Sequence, residues 1–276
     1  IGGYSDMTDN KKNRRTPNRG QSSVRRPADR AQMPENIVAG RNPVMEAIRA
    51  GRTIDKIYVA DGENEGSVIK LLAMASDAGI PIVRAGRSKL TDICGTSSHQ
   101  GVAAFTTPFE YCEPQDILEY ARMRGEDPFV VVLDGVSDPH NLGAVIRTAD
   151  ACGVHGLILP KRGSCSLTPA VYKAAAGACE YAKIARVVNI ARTVEFLKDN
   201  GVWVYAADGS ASESVYDIDL TGPAAIVLGD EGSGISRLVR DRCDRLLRIP
   251  MRGRITSLNV SVAGAVMMYE VLRQRG

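Results

Sequence analysis

From residue 128 to the end the chain alternates short apolar runs with amphipathic stretches. Phe129–Leu133 is continuous and β-branched, the pattern of a strand buried on both faces. Further runs at Gly156–Leu159, Ile184–Val188, Val202–Ala206, Ala225–Leu228 and Leu246–Ile249 predict five more strands. Helical spacing falls between them, near 142–152, 168–177, 191–199 and 235–241, with a last helix near 260–273. Strand–helix repetition of this kind predicts an α/β fold with a parallel sheet covered on both faces.

An earlier and smaller α/β unit spans 35–107. Arg41–Ala50 has helical spacing through Val44 and Ile48, and Ile54–Ala60 reads as a strand. Val68–Ala78 is a second helix, with an expected apolar stripe of Ile69, Leu72 and Ala73, and it stops at Gly79. Pro81–Arg84 and Gly101–Thr106 read as strands around a short helix at Lys89–Cys94. Residues 108–127, with Pro114, a helical piece near Ile117–Arg122 and Gly125, are expected to be a linker.

Charge changes the picture at the amino end. Residues 1–34 carry eight basic side chains against three acidic ones, a net +5, although the whole chain is only +3. A basic, Ser/Asn/Pro/Gly-rich stretch without apolar periodicity is expected to be disordered, either as a phosphate-binding arm or as a solubilising tail. Ile1–Asp6 ahead of Met7 read as a tag remnant. No apolar run reaches the ~18 residues of a membrane span, so a cytoplasmic protein is expected. Six scattered cysteines without a C-x-x-C pair, and three histidines, give no zinc spacing and are read as ordinary thiols.

Candidate chemistry lies in three segments of the carboxyl-terminal part. The first is Asn141-Leu142-Gly143 with Arg147. Asn141 is a good helix N-cap by residue type, and Leu142, Val145, Ile146, Ala149 and Cys152 then share one face, which turns Arg147 away from the core. The second is Leu228-Gly229-Asp230-Glu231-Gly232-Ser233-Gly234, a glycine-rich turn after an apolar strand. Its glycines do not fit G-x-G-x-x-G, so a dinucleotide site is weakly supported. The third is Ile249-Pro250-Met251, followed by Ser257-Leu258-Asn259-Val260-Ser261. Pro250 ends the strand, and hydroxyl and amide groups precede the last helix.

In this order and spacing the three segments resemble the SpoU/TrmH-type ribose 2′-O-methyltransferases of the SPOUT superfamily, most of all those that modify a guanosine of 23S rRNA. The resemblance covers about 128–276 and implies a deep trefoil knot. Gly40-Arg41-Asn42-Pro43-Val44 and the strand order after it resemble the ribosomal-protein-like RNA-binding domain of the rRNA members. The resemblance implies S-adenosylmethionine as methyl donor, no metal, RNA as substrate, and a homodimer that builds each site from two chains. By position, Arg147 matches an essential arginine and Asn141 an active-site asparagine. Gly229 would meet the donor through its backbone, so a side chain there is expected to fill the donor's space. Glu231 would lie in the active site, as proton acceptor or anchor. Ile249 and Leu258 would give main-chain contacts to the adenine, and Ser257 and Asn259 would shape the pocket. Lys173–Glu180 resembles a family segment near the active site, although its small residues also suit helix packing. The dimer is expected to form through Val260–Leu272, where Ser261, Gly264 and Ala265 permit close approach, and through the segment around Asn141–Arg147. A tRNA ribose methyltransferase, a drug-resistance rRNA methyltransferase and a non-catalytic RNA-binding assembly factor remain as alternatives.

Overall fold

A computed structural model describes residues 36–64, 66–254 and 256–276. The basic tail and tag remnant expected at 1–34 lie outside the described residues. The smaller sheet has four strands, β1 (Ile37–Ala39), β2 (Ile54–Ala60), β3 (Ile82–Ala85) and β4 (Val102–Thr106), in the order β1-β4-β2-β3. β1 was not expected, because three apolar residues are too short to show a period. It exists through tertiary pairing, with Ile37 opposite Phe105 and Ala39 opposite Ala103. Helices α1 (Arg41–Arg49), α2 (Ser67–Asp77) and α3 (Arg87–Cys94) complete this unit. The stripe expected on α2 is displaced by one position. Val68, Leu71 and Ala75 are buried while Ile69 is 58% exposed. The i, i+3, i+7 set that starts at Val68 is the one that faces the sheet.

Residues 108–127 hold α4 (Pro114–Met123). Pro114 opens the helix, and Glu113 and Asp116 cap it reciprocally. Ile117, Leu118 and Ala121 are buried, and Ile117 and Leu118 share one cluster with Val130, Val132 and Ile158 of the large sheet.

The large sheet contains β5 (Phe129–Asp134), β6 (Gly156–Pro160), β7 (Ile184–Val187), β8 (Trp203–Ala207), β9 (Glu213–Ser214), β10 (Ala224–Gly229) and β11 (Arg245–Arg248). Their order is β7-β6-β5-β10-β8-β11-β9, with parallel pairing throughout. Successive residues of the central strands point to opposite faces. Phe129, Val131, Leu133, Ile226 and Leu228 pack with α5 (Pro139–Ala151), α6 (Pro169–Ala174) and α9 (Val260–Arg275). Val130, Val132, Ala225 and Val227 pack with α4, α7 (Ile190–Asp199) and α8 (Arg237–Arg240). Because the strands run parallel, β8, β10 and β11 end together at one edge, where an open α/β sheet leaves room for a ligand.

Two details correct the sequence reading. Asn141 does not cap α5. The helix begins at Pro139 and its cap is Asp138, whose Oδ1 accepts the backbone N–H groups of His140 and Asn141, both at 2.9 Å. Gly264 is buried, and a Cβ there would lie 2.7 Å from Leu228 Cδ1, so it lets α9 approach β10 of its own chain.

Candidate active site

The turn after β10 is a closed loop. Asp230 N–H donates to the Gly234 carbonyl at 3.1 Å, and Gly234 N–H donates back to the Asp230 carbonyl at 2.9 Å. Asp230 Oδ2 accepts the N–H groups of Gly232 and Ser233 at 3.1 and 3.3 Å. Those N–H groups hold the Asp230 carboxyl below the usual carboxylate range. Glu231 stands at the tip of this loop.

Because Asp138 caps α5, the Asn141 side chain is left to reach across. Its Nδ2 donates to Glu231 Oε1 at 2.8 Å. Asn259 Nδ2 donates to Asn141 Oδ1 at 3.0 Å and to the same Glu231 Oε1 at 2.5 Å. Asn259 Oδ1 meanwhile accepts from Ser261 N–H at 3.0 Å and Ser261 Oγ at 2.6 Å, which caps α9. One asparagine therefore fixes the start of a helix and, with its other end, two residues far apart in sequence, Asn141 on α5 and Glu231 in the turn after β10. Glu231 Oε2 makes no hydrogen bond among the described residues.

A cleft of about 200 Å³, open to solvent, runs from this cluster along the carboxyl ends of β8, β10 and β11. Gly229, Glu231, Ile249, Ser257 and Leu258 all line it. Its walls mix apolar Leu228, Leu247, Ile249, Met251 and Leu258 with the carboxylates of Asp208, Asp230 and Glu231. Apolar walls suit a flat heteroaromatic ring, and carboxylates in the lining suit a cationic sulfonium or ammonium group. S-adenosylmethionine carries all of these, so the residues present fit it. Among the described residues no cluster of His, Cys, Asp or Glu has the geometry to hold a metal ion.

Asp208, after β8, is a cleft residue that the sequence reading missed. It belongs to no short motif, and parallel pairing alone brings it beside Gly229. Burial by itself would raise its carboxyl. Hydrogen bonds from Ser210 and the Arg240 guanidinium, 2.9 Å away, outweigh burial and hold it low. Met251 and Thr256 also line the cleft, though they were not singled out as site residues.

Arg147 stands apart. It is exposed on α5, six residues and therefore ~9 Å of helix rise beyond Asn141, and it does not line the cleft. Among the described residues its guanidinium makes no hydrogen bond or ion pair.

The profile of the SpoU rRNA methylase family matches residues 128–269, the part of the chain that builds this cleft. The chain belongs to the SpoU rRNA methylase family. A second profile, described as RNA 2′-O ribose methyltransferase substrate binding, matches residues 37–112. YacO of Bacillus subtilis, named as a TrmH family tRNA/rRNA methyltransferase, is 43% identical over 240 residues, which cover 87% of this chain and 96% of that protein. A Staphylococcus saprophyticus protein named for the same family is also 43% identical, over 88% of this chain and 97% of that one. Among solved structures, the AdoMet-bound rRNA methyltransferase of Sinorhizobium meliloti superposes with a TM-score of 0.68 at 26% identity, covering 86% of each chain. The fold is also that of the SpoU methyltransferase AviRb of Streptomyces viridochromogenes, with a TM-score of 0.72 at 24% identity over 87% of this chain and 90% of that one.

Proposed function

We propose that the protein methylates the 2′-hydroxyl of a guanosine ribose in 23S rRNA. It is an RNA methyltransferase, and S-adenosylmethionine is its donor. The observation that carries the reading is the Asn141–Glu231–Asn259 cluster on the rim of a cleft whose walls suit that donor. The donor supplies an electrophilic methyl group, and everything else falls to side chains of this chain. Ile249, Met251 and Leu258 bind the ring between apolar surfaces. Asn141 and Asn259 hold Glu231 Oε1, which leaves Oε2 directed by the same pair to accept the proton that a ribose hydroxyl loses on attack. Ser257 borders that hydroxyl. Arg147 resists deprotonation, as a guanidinium does, and its planar fork suits a phosphate and the alkoxide charge that develops on the ribose.

A homodimer is part of this reading. Arg147 does not line its own chain's cleft, and α9 leaves Val262, Tyr269 and Leu272 exposed at 48%, 52% and 37%. An apolar helix face of that kind supports a second copy whose Arg147 completes the site. The knotted path belongs here too. It rests on the sequence resemblance. Ribosomal rather than transfer RNA is favoured by the amino-terminal unit. The A. aeolicus TrmH/SpoU tRNA modifying enzyme covers only 57% of this chain, against 82% of its own length. The guanosine and the large subunit rest on the sequence resemblance. No described helix is long and apolar enough to cross a membrane.

Calorimetric titration with S-adenosylmethionine and methyl transfer to rRNA test the reading together. Arg147→Ala is expected to keep its donor affinity and melting temperature while transfer falls at least about hundredfold, the usual loss for one transition-state donor. Normal turnover in that variant would remove Arg147 from the mechanism. A chain that binds no donor would be a non-catalytic RNA-binding protein. Mapping methylated riboses in RNA from a deletion strain names the nucleotide, and a tRNA target would replace the ribosomal one.

A further inference from the structure

Lys173–Glu180, singled out in the sequence, contributes nothing to the cleft lining. It holds the smaller sheet instead. Arg52, just ahead of β2, donates from Nη1 to Glu180 Oε1 and to Tyr172 Oη, both at 2.9 Å, and from Nη2 to the Thr107 carbonyl at 2.6 Å. The Arg52 side chain is 9% exposed and that of Glu180 4%. The guanidinium also lies 5.2 Å from the centre of the Tyr172 ring. Burial pushes the Glu180 carboxyl up, and the charge of Arg52 works against it. A second contact lies nearby. Gly177 sits at φ +103°, where a Cβ would be 2.6 Å from Glu46 Cβ, and Tyr181 Oη donates to Glu46 Oε2 at 2.8 Å.

The other side of α6 meets the catalytic helix. A Cβ on Gly143 of α5 would lie 2.8 Å from the Val171 carbonyl and 2.9 Å from Ala175 N. α6 and the turn after it are therefore pressed between the unit at 37–107 and the helix that carries Asn141 and Arg147. A buried ion pair contributes little net stability once desolvation is counted. What it supplies is direction. A planar guanidinium satisfied by a carboxylate, a hydroxyl and a carbonyl has one orientation.

We propose that Arg52 and Glu180 are positioning residues that lock the RNA-gripping unit onto α6. An RNA held by that unit then meets the Asn141–Glu231–Asn259 cluster in one register. The RNA half of this statement rests on the methyltransferase reading, whereas the locking itself does not.

The test compares the full chain with Arg52→Met/Glu180→Met, which removes both charges and strands neither. Small-angle scattering is expected to show a larger maximum dimension for the double variant. With a long rRNA fragment, KM should rise at least about tenfold while kcat at saturating RNA and the donor Kd stay unchanged. A merely structural role would lower the donor affinity and kcat as well. A folded double variant with wild-type scattering and wild-type KM overturns the proposal. If the double variant does not fold, Glu46→Gln/Tyr181→Phe at the accessible rim is read the same way. A KM rise of about threefold is expected there, and an unchanged KM and scattering profile count against the lock. A wild-type chain that methylates no RNA would sink the functional reading alone, and the scattering comparison would still decide whether the pair locks the two units.

Discussion

Gly229→Ala separates two accounts of the donor loop. If glycine is needed because the donor approaches the backbone, a methyl group should be a mild change and valine a severe one. The geometry says otherwise. A Cβ on Gly229 would lie 2.5 Å from the Gly234 carbonyl oxygen, and closer still to the Gly234 carbonyl carbon and Ile235 N. Ordinary Cβ contacts begin near 3.4 Å, so the loop must retreat by about 1 Å. The atoms in the way are backbone and cannot rotate aside. Retreat breaks the reciprocal Asp230–Gly234 bonds at 3.1 and 2.9 Å. At roughly 0.5–1.5 kcal/mol per net hydrogen bond, that costs about 1–3 kcal/mol. For a chain of this size the melting temperature should fall by roughly 2–4 °C per kcal/mol. Glu231 lies between the two bonded residues, so it leaves Asn141 and Asn259 as the loop opens. Donor Kd measured by calorimetry is expected to rise at least about tenfold, a change of ~1.4 kcal/mol. The melting curve of the ligand-free variant is the second measurement. An alanine variant with wild-type melting and wild-type donor affinity would refute the steric argument.

Three further outcomes follow from the same geometry. Asn259→Ala removes the cap of α9 and two bonds to the cluster. It should lower stability by about 1 kcal/mol in chemical denaturation, and methyl transfer should fall more than donor affinity. His155 and His99 each accept a backbone N–H on Nδ1, from Phe129 and Gly101, both at 3.0 Å. Burial holds both below the usual 6.5, for His155 against the pull of Glu126. Each therefore stabilises the fold above pH 6.5, and that contribution is lost as pH falls below 6.5 towards the depressed folded value, because the unfolded chain binds the proton first. Melting curves from pH 7.5 to 5 should show the decline, and His155→Gln should flatten it. Tyr269→Glu, on the exposed face of α9, is expected to give a monomer by light scattering with the melting transition of the free chain retained. Gly264→Leu is unsuitable for that purpose, since Gly264 faces Leu228 of its own chain.

The strand–helix alternation after residue 128 was legible because strands buried on both faces are continuous apolar runs, and all six runs are strands of the large sheet. The one-residue error on α2 has a physical cause. Ile69 and Val68 are both apolar, and only the sheet beneath decides which one turns inward. The three chemical segments were legible as residue types at given spacings. Their meeting was not. Asn141, Glu231 and Asn259 are separated by 90 and 28 residues, and three parallel strand ends bring them within hydrogen-bond reach. The sequence alone made Asn141 a helix cap; the structure gives that task to Asp138 and so releases the amide for Glu231. It made Gly229 a neighbour of the donor, whereas the requirement for glycine comes from the loop's own backbone. Asp208 and the Arg52–Glu180 pair were invisible for the same reason. Local pattern determines which segments become strands and helices and which polar groups are at hand. Which of those groups face one another depends on strand order and on close approach at residues such as Gly143, Gly177 and Gly229, and those are decided by packing in three dimensions.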